Sequence, residues 1–322
     1  MSDAHPVFPA PGRKNQSVLA FDTPALRGYE WPYFTVSGAA DGPTLCLIAG
    51  IHGAEYPPID AVMRFCRALD PDALRGRVVA VPVVNLPAFW ERTPFVCPRD
   101  GKNPNRVFPG TPDGTFSDAL AYYMFERVIR GGDYLIDLHG GDLVEELAPF
   151  SLVRETEDAG VDARAVDLAV AFGLSYLVVQ PPTGGPIGGT TNAAAAAAGI
   201  PAVIAEAGGT GQLAPEAVAL HLRGLRRALQ RLGMLAGEPE PSPAPARIRD
   251  FVWLRATRGG FFRRRVDAGD TVITGQILGE TVDLWGEPCA TTESPLDGVA
   301  LFVTTSPAIA EDGLIVGLGV LE

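Results

Sequence analysis

The chain has 322 residues, 47% hydrophobic and 20% charged, a balance that describes a folded protein with one large core or two and excludes a disordered one. A formal net charge of -12 argues against a nucleic-acid or anionic-membrane surface, since either partner wants clustered Lys and Arg. Four cysteines, Cys46, Cys66, Cys97 and Cys289, show no CxxC spacing and read as free thiols of a reducing cytoplasm.

The start, Met1-Ser2-Asp3-Ala4-His5, has no basic or apolar stretch, so no secretory signal is expected. Thr44–Gly50 (TLCLIAG) is the first expected strand, and Pro57 and Pro58 then open a helix over IDAVMRFCRAL, proline being suited to a first helical turn. Val78–Val84 is a second strand, with Pro82 marking an edge or an irregularity. Ser117–Arg130 reads as a helix with Ser117 as its cap, and Tyr134–Leu138 as a third strand. Ala163–Phe172 is helical, Tyr176–Val179 extended, and the alanine run 192–198 strongly helical. Ala202–Ala205 is a further strand and Pro215–Leu235 a long helix. Strands separated by helices predict an α/β fold with a mostly parallel or mixed sheet flanked by helices.

The stretch Ala236–Ala246 carries four prolines in AGEPEPSPAPA and reads as a linker. Phe251–Glu322 has short alternating strands and many glycines, which predicts a small all-β domain. The expected division is therefore a catalytic domain over 1–235, a linker over 236–246 and a β domain over 247–322. The apolar runs are broken before they reach spanning length, so no transmembrane helix is expected.

His52 and Glu55 in GIHGAE, with His139 in DLHGG, offer two imidazoles and a carboxylate, the ligand set of a zinc ion that keeps one position open. All three fall where a strand should end, the usual place for chemistry in an open α/β sheet. Three-residue spacing sets His52 and Glu55 on one side of a turn, and Gly53 would let the backbone turn sharply. Asp137 and Asp142 are both candidates to orient the imidazoles. His5 and His221 look incidental, and Cys97, near the site loop, reads as inert in preference to reactive.

The motifs GIHGAE (Gly50–Glu55), DGKNPNRVFPG (Asp100–Gly110), DLHGG (Asp137–Gly141) and IPAVIAEAGG (Ile200–Gly209) occur in one order. In that order they resemble the succinylglutamate desuccinylase/aspartoacylase family, a branch of the zinc carboxypeptidase superfamily. The resemblance implies one zinc ion per chain on His52, Glu55 and His139, with Glu206 as general base. It also implies that Asn105 and Arg106 grip a substrate carboxylate, for which a guanidinium is a fixed two-pronged donor. Where the family commonly reads Asp-Leu-Asn-Arg, this chain reads Asn103-Pro104-Asn105-Arg106. The family's carbonyl-polarising arginine aligns near Pro94, so Arg92 is preferred for that role and Arg99 is the alternative. The C-terminal segment resembles a biotinyl/lipoyl-like barrel. Its hairpin tip, Pro295-Leu296-Asp297-Gly298, lacks the lysine that carries a cofactor arm.

The expected function is a zinc amidohydrolase that removes an acyl group from a small N-acyl amino acid or amine. A zinc carboxypeptidase acting on peptide C-termini and a non-catalytic metal- or ligand-binding protein are the alternatives. Expected partners are the small-molecule N-acyl substrate, neither nucleic acid nor membrane, and further copies of the chain where sheet edges permit homo-oligomers.

Overall fold

A computed structural model describes residues 5–182 and 188–322. The Gly-rich stretch 184–192 reads from sequence as a pocket lining, a flap or simply a loop, and its residues 184–187 lie outside the described residues. In chain order the elements begin β1 (Arg13–Leu19), β2 (Trp31–Ser37), β3 (Ala40–Ala49), α1 (Tyr56–Ala68), β4 (Arg75–Val81), α2 (Leu86–Glu91) and α3 (Phe116–Met124). They continue β5 (Tyr134–His139), β6 (Glu145–Leu147), β7 (Phe150–Arg154), α4 (Ala159–Phe172), β8 (Tyr176–Gln180), α5 (Thr191–Ala197), β9 (Ala202–Glu206) and α6 (Pro215–Arg231). The C-terminal strands are β10 (Ala246–Arg255), β11 (Gly260–Arg264), β12 (Thr271–Val272), β13 (Ile277–Val282), β14 (Pro288–Glu293), β15 (Gly298–Thr304), β16 (Ala308–Ile309) and β17 (Leu314–Leu321).

The fold is α/β with a mixed sheet. Its strand order is β1-β2-β4-β3-β5-β9-β7-β8-β10-β17-β15-β12, with β6 paired to β15. The centre, β4-β3-β5-β9, is parallel, whereas β7 runs antiparallel to β9. β3 shows why the centre is covered twice. Leu45, Leu47 and Ala49 enter the core packed on α1, α4 and α6, while Cys46 and Ile48 enter the core packed on α3 and α5. Side chains alternate with period two along a strand, so a strand buried on both faces must be apolar at every position.

The expected cap of α3 is corrected. The helix begins at Phe116, and the Asp118 carboxylate accepts the Thr115 backbone N–H at 2.9 Å, as in a capping box. Ser117 lies inside the first turn, where its hydroxyl donates to Asp100 at 2.8 Å. The helix passes at Phe125–Ile129 into a π-helical turn.

The sheet does not stop at the proline-rich stretch. β10 pairs parallel with β8 and antiparallel with β17, so it joins the C-terminal antiparallel strands to the central sheet. A second sheet, β14-β13-β11-β16, encloses a small core around Phe262, Val272, Leu278 and Ile315. At the tip without a lysine, the Asp297 carboxylate accepts the Thr274 backbone N–H at 2.7 Å.

Cys46, Cys66 and Cys97 are buried and Cys289 is exposed. Burial pushes the Cys46 and Cys66 thiols to about 12 and the Cys97 thiol upward as well, which keeps them as unreactive thiols. An aromatic disulfide reagent is expected to titrate Cys289 alone in native protein and all four thiols in denaturant. A second fast-reacting thiol would contradict this burial. No helix among the described residues is long and apolar enough to cross a membrane.

Candidate metal centre and active site

Three neighbouring parallel strands deliver the site. β3 ends at Ala49, β5 ends on His139 and β9 ends on Glu206. His139 and Glu206 are register partners, so both side chains emerge at one end of the sheet and on the same side.

After β3 the chain turns at Gly50, whose φ of +65° is the left-handed value that glycine adopts without strain. The role expected for Gly53 is corrected. It has no positive φ, and a Cβ there would lie 2.1 Å from the Phe89 backbone nitrogen. Gly53 therefore permits close approach of α2, which presses the loop into the site. Glu55 stands immediately before α1, where Pro57 and Pro58 occupy the first turn.

The three expected ligands converge. His52 Nδ1 lies 2.7 Å from Glu55 Oε1, and His139 Nδ1 lies 3.0 Å from Glu55 Oε2. All three are buried, and their ligand atoms lie within 4.8 Å of one another. A tetrahedral ion with bonds of about 2.0–2.2 Å holds its ligands roughly 3.3 Å apart, so small adjustments suffice to seat one.

The remaining ring nitrogens are held as a metal site requires. His52 Nε2 donates to the Asn103 side-chain oxygen at 3.1 Å, and His139 Nε2 donates to Asp137 Oδ2 at 3.0 Å. Each bond fixes a tautomer that leaves the Nδ1 lone pair facing the centre. Asp137 also accepts from the Thr191 hydroxyl. Asp142 takes no part in orienting the rings; it accepts the backbone N–H groups of Phe95 at 2.8 Å and Leu143 at 2.6 Å. Replacing Asn103 with Ala is expected to weaken divalent-metal affinity by about 10- to 100-fold, read by chelator competition. Unchanged affinity would remove Asn103 from the support of His52.

The electrostatics suit a cation. Burial alone would raise the Glu55 carboxyl, but the charges and hydrogen bonds of His52 and His139 outweigh it and bring it to about 2. Burial likewise opposes charge on His139, yet Asp137 and Glu55 raise it well above the usual imidazole value. Burial, with help from Glu55, Glu145 and Asp137, raises the Glu206 carboxyl, against the pull of His139.

Asn105 and Arg106 sit in the 3-10 turn Pro104–Arg106, with Pro104 at its first position and the Asn103 side chain capping it through Asn105 N at 2.8 Å. The proline at this point therefore fits, because the lost donor was one that no helical partner required. The Asn105 side-chain oxygen accepts Thr191 N at 3.0 Å, which ties the turn to the start of α5. Arg106 and Glu206 both line the cavity, near enough for the Glu206 charge to favour the guanidinium.

Arg92 is not brought to this site. It is exposed, holds the left-handed C-cap of α2 and does not line the cavity. Arg99 pairs instead with Glu91 at 2.5 Å. The backbone is left-handed at Arg92 and Phe95, and it is Phe95, not Arg92, that lines the cavity, its ring set edge-on to His52. Among the described residues Arg106 is the only cationic side chain lining the cavity.

The cavity has a volume of about 520 Å³, within the size range of small-molecule sites. His52, Glu55, Arg106 and Glu206 line it, and its apolar wall includes Phe251, Trp253 and Phe302 from β10 and β15. These wall residues, with Asn103 and Glu145, were not anticipated from sequence. His221 stands outside the metal cluster on α6, where it is buried, and its Nε2 donates at 3.1 Å to the carbonyl of Ala207, directly after Glu206. Burial holds this ring neutral by lowering it to about 4. Its place on the inward face of an amphipathic helix was the available signal.

Residues 41–232 match the family described as the succinylglutamate desuccinylase/aspartoacylase catalytic domain. The chain is 31% identical over 273 residues to N-alpha-acetyl-L-2,4-diaminobutyric acid deacetylase of Halomonas elongata, covering 82% of this chain and 78% of that one. A succinylglutamate desuccinylase/aspartoacylase structure from Rhodobacter sphaeroides superposes with a TM-score of 0.84 at 26% identity, covering 96% of this chain and 95% of the other. The product-bound ectoine utilization protein EutE (DoeB) of Ruegeria pomeroyi superposes with a TM-score of 0.84 at 26% identity, covering 95% of each chain. The ordered motifs, the strand-end cluster and these likenesses agree: the chain belongs to the succinylglutamate desuccinylase/aspartoacylase family of amide-bond hydrolases.

Proposed function

We propose that the chain is a zinc-dependent deacylase that splits a small N-acyl amino acid into its acyl acid and free amine. The observation that carries this reading is the convergence of His52, Glu55 and His139 beside Glu206 at one end of the sheet. Zinc held there would acidify a water molecule and polarise the scissile carbonyl.

Glu206 then receives the proton that the attacking water oxygen loses as its bond to the carbonyl carbon forms. The C–N bond breaks, and the same carboxyl returns the proton to the departing nitrogen. Arg106, held by its Nη1 donation to the Asn105 carbonyl at 2.7 Å, presents the remainder of its guanidinium to the substrate carboxylate. Residues 247–322 act in this reading as a unit that narrows the pocket through Phe251, Trp253 and Phe302. A wall of aromatic rings excludes water, which strengthens every polar contact inside.

The test is a panel of N-acetyl and N-succinyl amino acids set beside short peptides, with zinc-loaded protein. Release of amine from the acyl amino acids is expected. Preferential release of C-terminal residues from the peptides would replace the deacylase by a carboxypeptidase. A binding protein without turnover would hydrolyse nothing in the panel.

A further inference from the structure

One acidic side chain in the cavity is used neither by the metal cluster nor by proton transfer. β6 is three residues long and pairs with β15, Glu145 opposite Thr304 and Leu147 opposite Phe302. Alternation along this strand sends Glu145 and Leu147 into the cavity. Glu146, between them, points outward to an ion pair with Arg264.

The position is built rather than incidental. A Cβ on Gly141 would lie 2.5 Å from the Glu145 carbonyl oxygen, and one on Gly209 would lie 2.2 Å from it. The second glycines of the DLHGG and AEAGG segments thus let the Glu145 backbone press against both site strands. The Glu145 carbonyl also accepts Thr210 N at 2.8 Å, and Thr305 N donates to the neighbouring Val144 carbonyl at 2.7 Å. The segment is held from the catalytic side and the C-terminal side together.

The other acids of the region already have partners. Glu55 has both imidazoles and Gly140 N, Asp137 has His139 and Thr191, and Asp142 has two backbone N–H groups. Glu206 is accounted for by proton transfer and has the charge of His139 beside it. Glu145 has no ion-pair partner among the described residues and takes one hydrogen bond, from the Asp142 backbone. Burial, reinforced by Glu55 and Asp142, pushes its carboxyl to about 8. Val144, Leu147 and Phe302 share its part of the wall, where a carboxylate without a counter-charge is unfavourable.

We infer that Glu145 receives a positively charged group on the substrate, so that the preferred substrate is an N-acyl diamino acid. Its carboxylate meets Arg106, its acyl amide meets the metal cluster and Glu206, and its side-chain ammonium meets Glu145. The inference rests on the deacylase reading and adds the determinant of side-chain charge. It is consistent with the diaminobutyric acid derivative on which the Halomonas elongata relative acts.

The test compares N-acetyl-L-2,4-diaminobutyrate with N-acetyl-L-norvaline, which replaces the ammonium by a methyl group at similar size. Zinc-loaded wild type is expected to favour the cationic substrate by about 10- to 100-fold in kcat/KM, mainly through KM, the worth of a charge-assisted hydrogen bond. Glu145→Gln is expected to reduce that ratio to a few-fold. Calorimetric titration with L-2,4-diaminobutyrate and L-norvaline should show the same preference in binding. Equal handling of the two compounds by wild type overturns the inference, as does Glu145→Gln lowering kcat for both without changing their ratio. Should Glu145→Gln fail to fold, the wild-type ratio and the Glu145→Asp ratio, expected to remain above unity, decide the matter. If no N-acyl amino acid is hydrolysed, the deacylase reading fails, while the titration still judges whether the pocket selects a cation.

Discussion

Glu206→Gln is expected to lower kcat by about 10²- to 10⁴-fold, the range of a positioned general acid–base group, while bound zinc stays stoichiometric. The substitution keeps the volume of the side chain and removes the ability to take a proton. It also removes an acid that desolvation and three neighbouring carboxyls already disfavour as an anion, so the fold should be no less stable. Glu206 stands opposite His139 in the β5–β9 register, and the His52, Glu55 and His139 cluster is complete without it. Kinetics on an N-acetyl amino acid, metal analysis and thermal unfolding of the same preparation read the three expectations. Activity within a few-fold of wild type would remove Glu206 from the proton transfer. Loss of metal would make it a ligand.

Zinc binding should fall sharply in both His52→Ala and His139→Ala, by more than the 10- to 100-fold associated with losing an outer partner. The two variants should differ in stability. His52 is partnered outside the cluster by Asn103, an amide that is also satisfied by the Asn105 backbone. His139 is fully enclosed beside Asp137 and Glu55, both buried carboxylates. Removing the imidazole between two buried acids leaves uncompensated charge, which costs about 3 kcal/mol when a buried ion pair is broken. The expected pattern is loss of metal in both variants, with a markedly lower unfolding midpoint for metal-free His139→Ala alone. Equal midpoints would show that Asp137 needs no more than its bond from Thr191. Full zinc occupancy in either variant would remove that histidine from the ligand set.

Much of the central sheet was readable because its strands are buried on both faces. Leu45 through Ile48 are apolar at consecutive positions for that reason, and the same pattern marks β5 and β9. β1 escaped notice because six of its seven residues are exposed, which leaves no apolar rhythm to detect. β6, at three residues, is too short to carry one. Asp137 could have been chosen over Asp142 from spacing alone, since residues two apart on a strand share a face, and Asp137 lies two before His139. Asn103 offered no comparable cue: it reaches His52 across 51 residues of sequence.

The sequence by itself determined which side chains could serve a metal and a proton transfer, because ligand chemistry is a property of residue type and strand ends are local features. It could not determine which arginine faces the substrate. Arg92, Arg99 and Arg106 occupy one loop, and only the tertiary course of that loop separates the exposed Arg92, the paired Arg99 and the cavity-lining Arg106. Nor could it place Trp253 and Phe302 over a site whose ligands end at residue 139. That contact depends on β10 joining β8 and β15 joining β6, pairings in which the partners are far apart in sequence and the backbone hydrogen bonds are blind to side-chain identity.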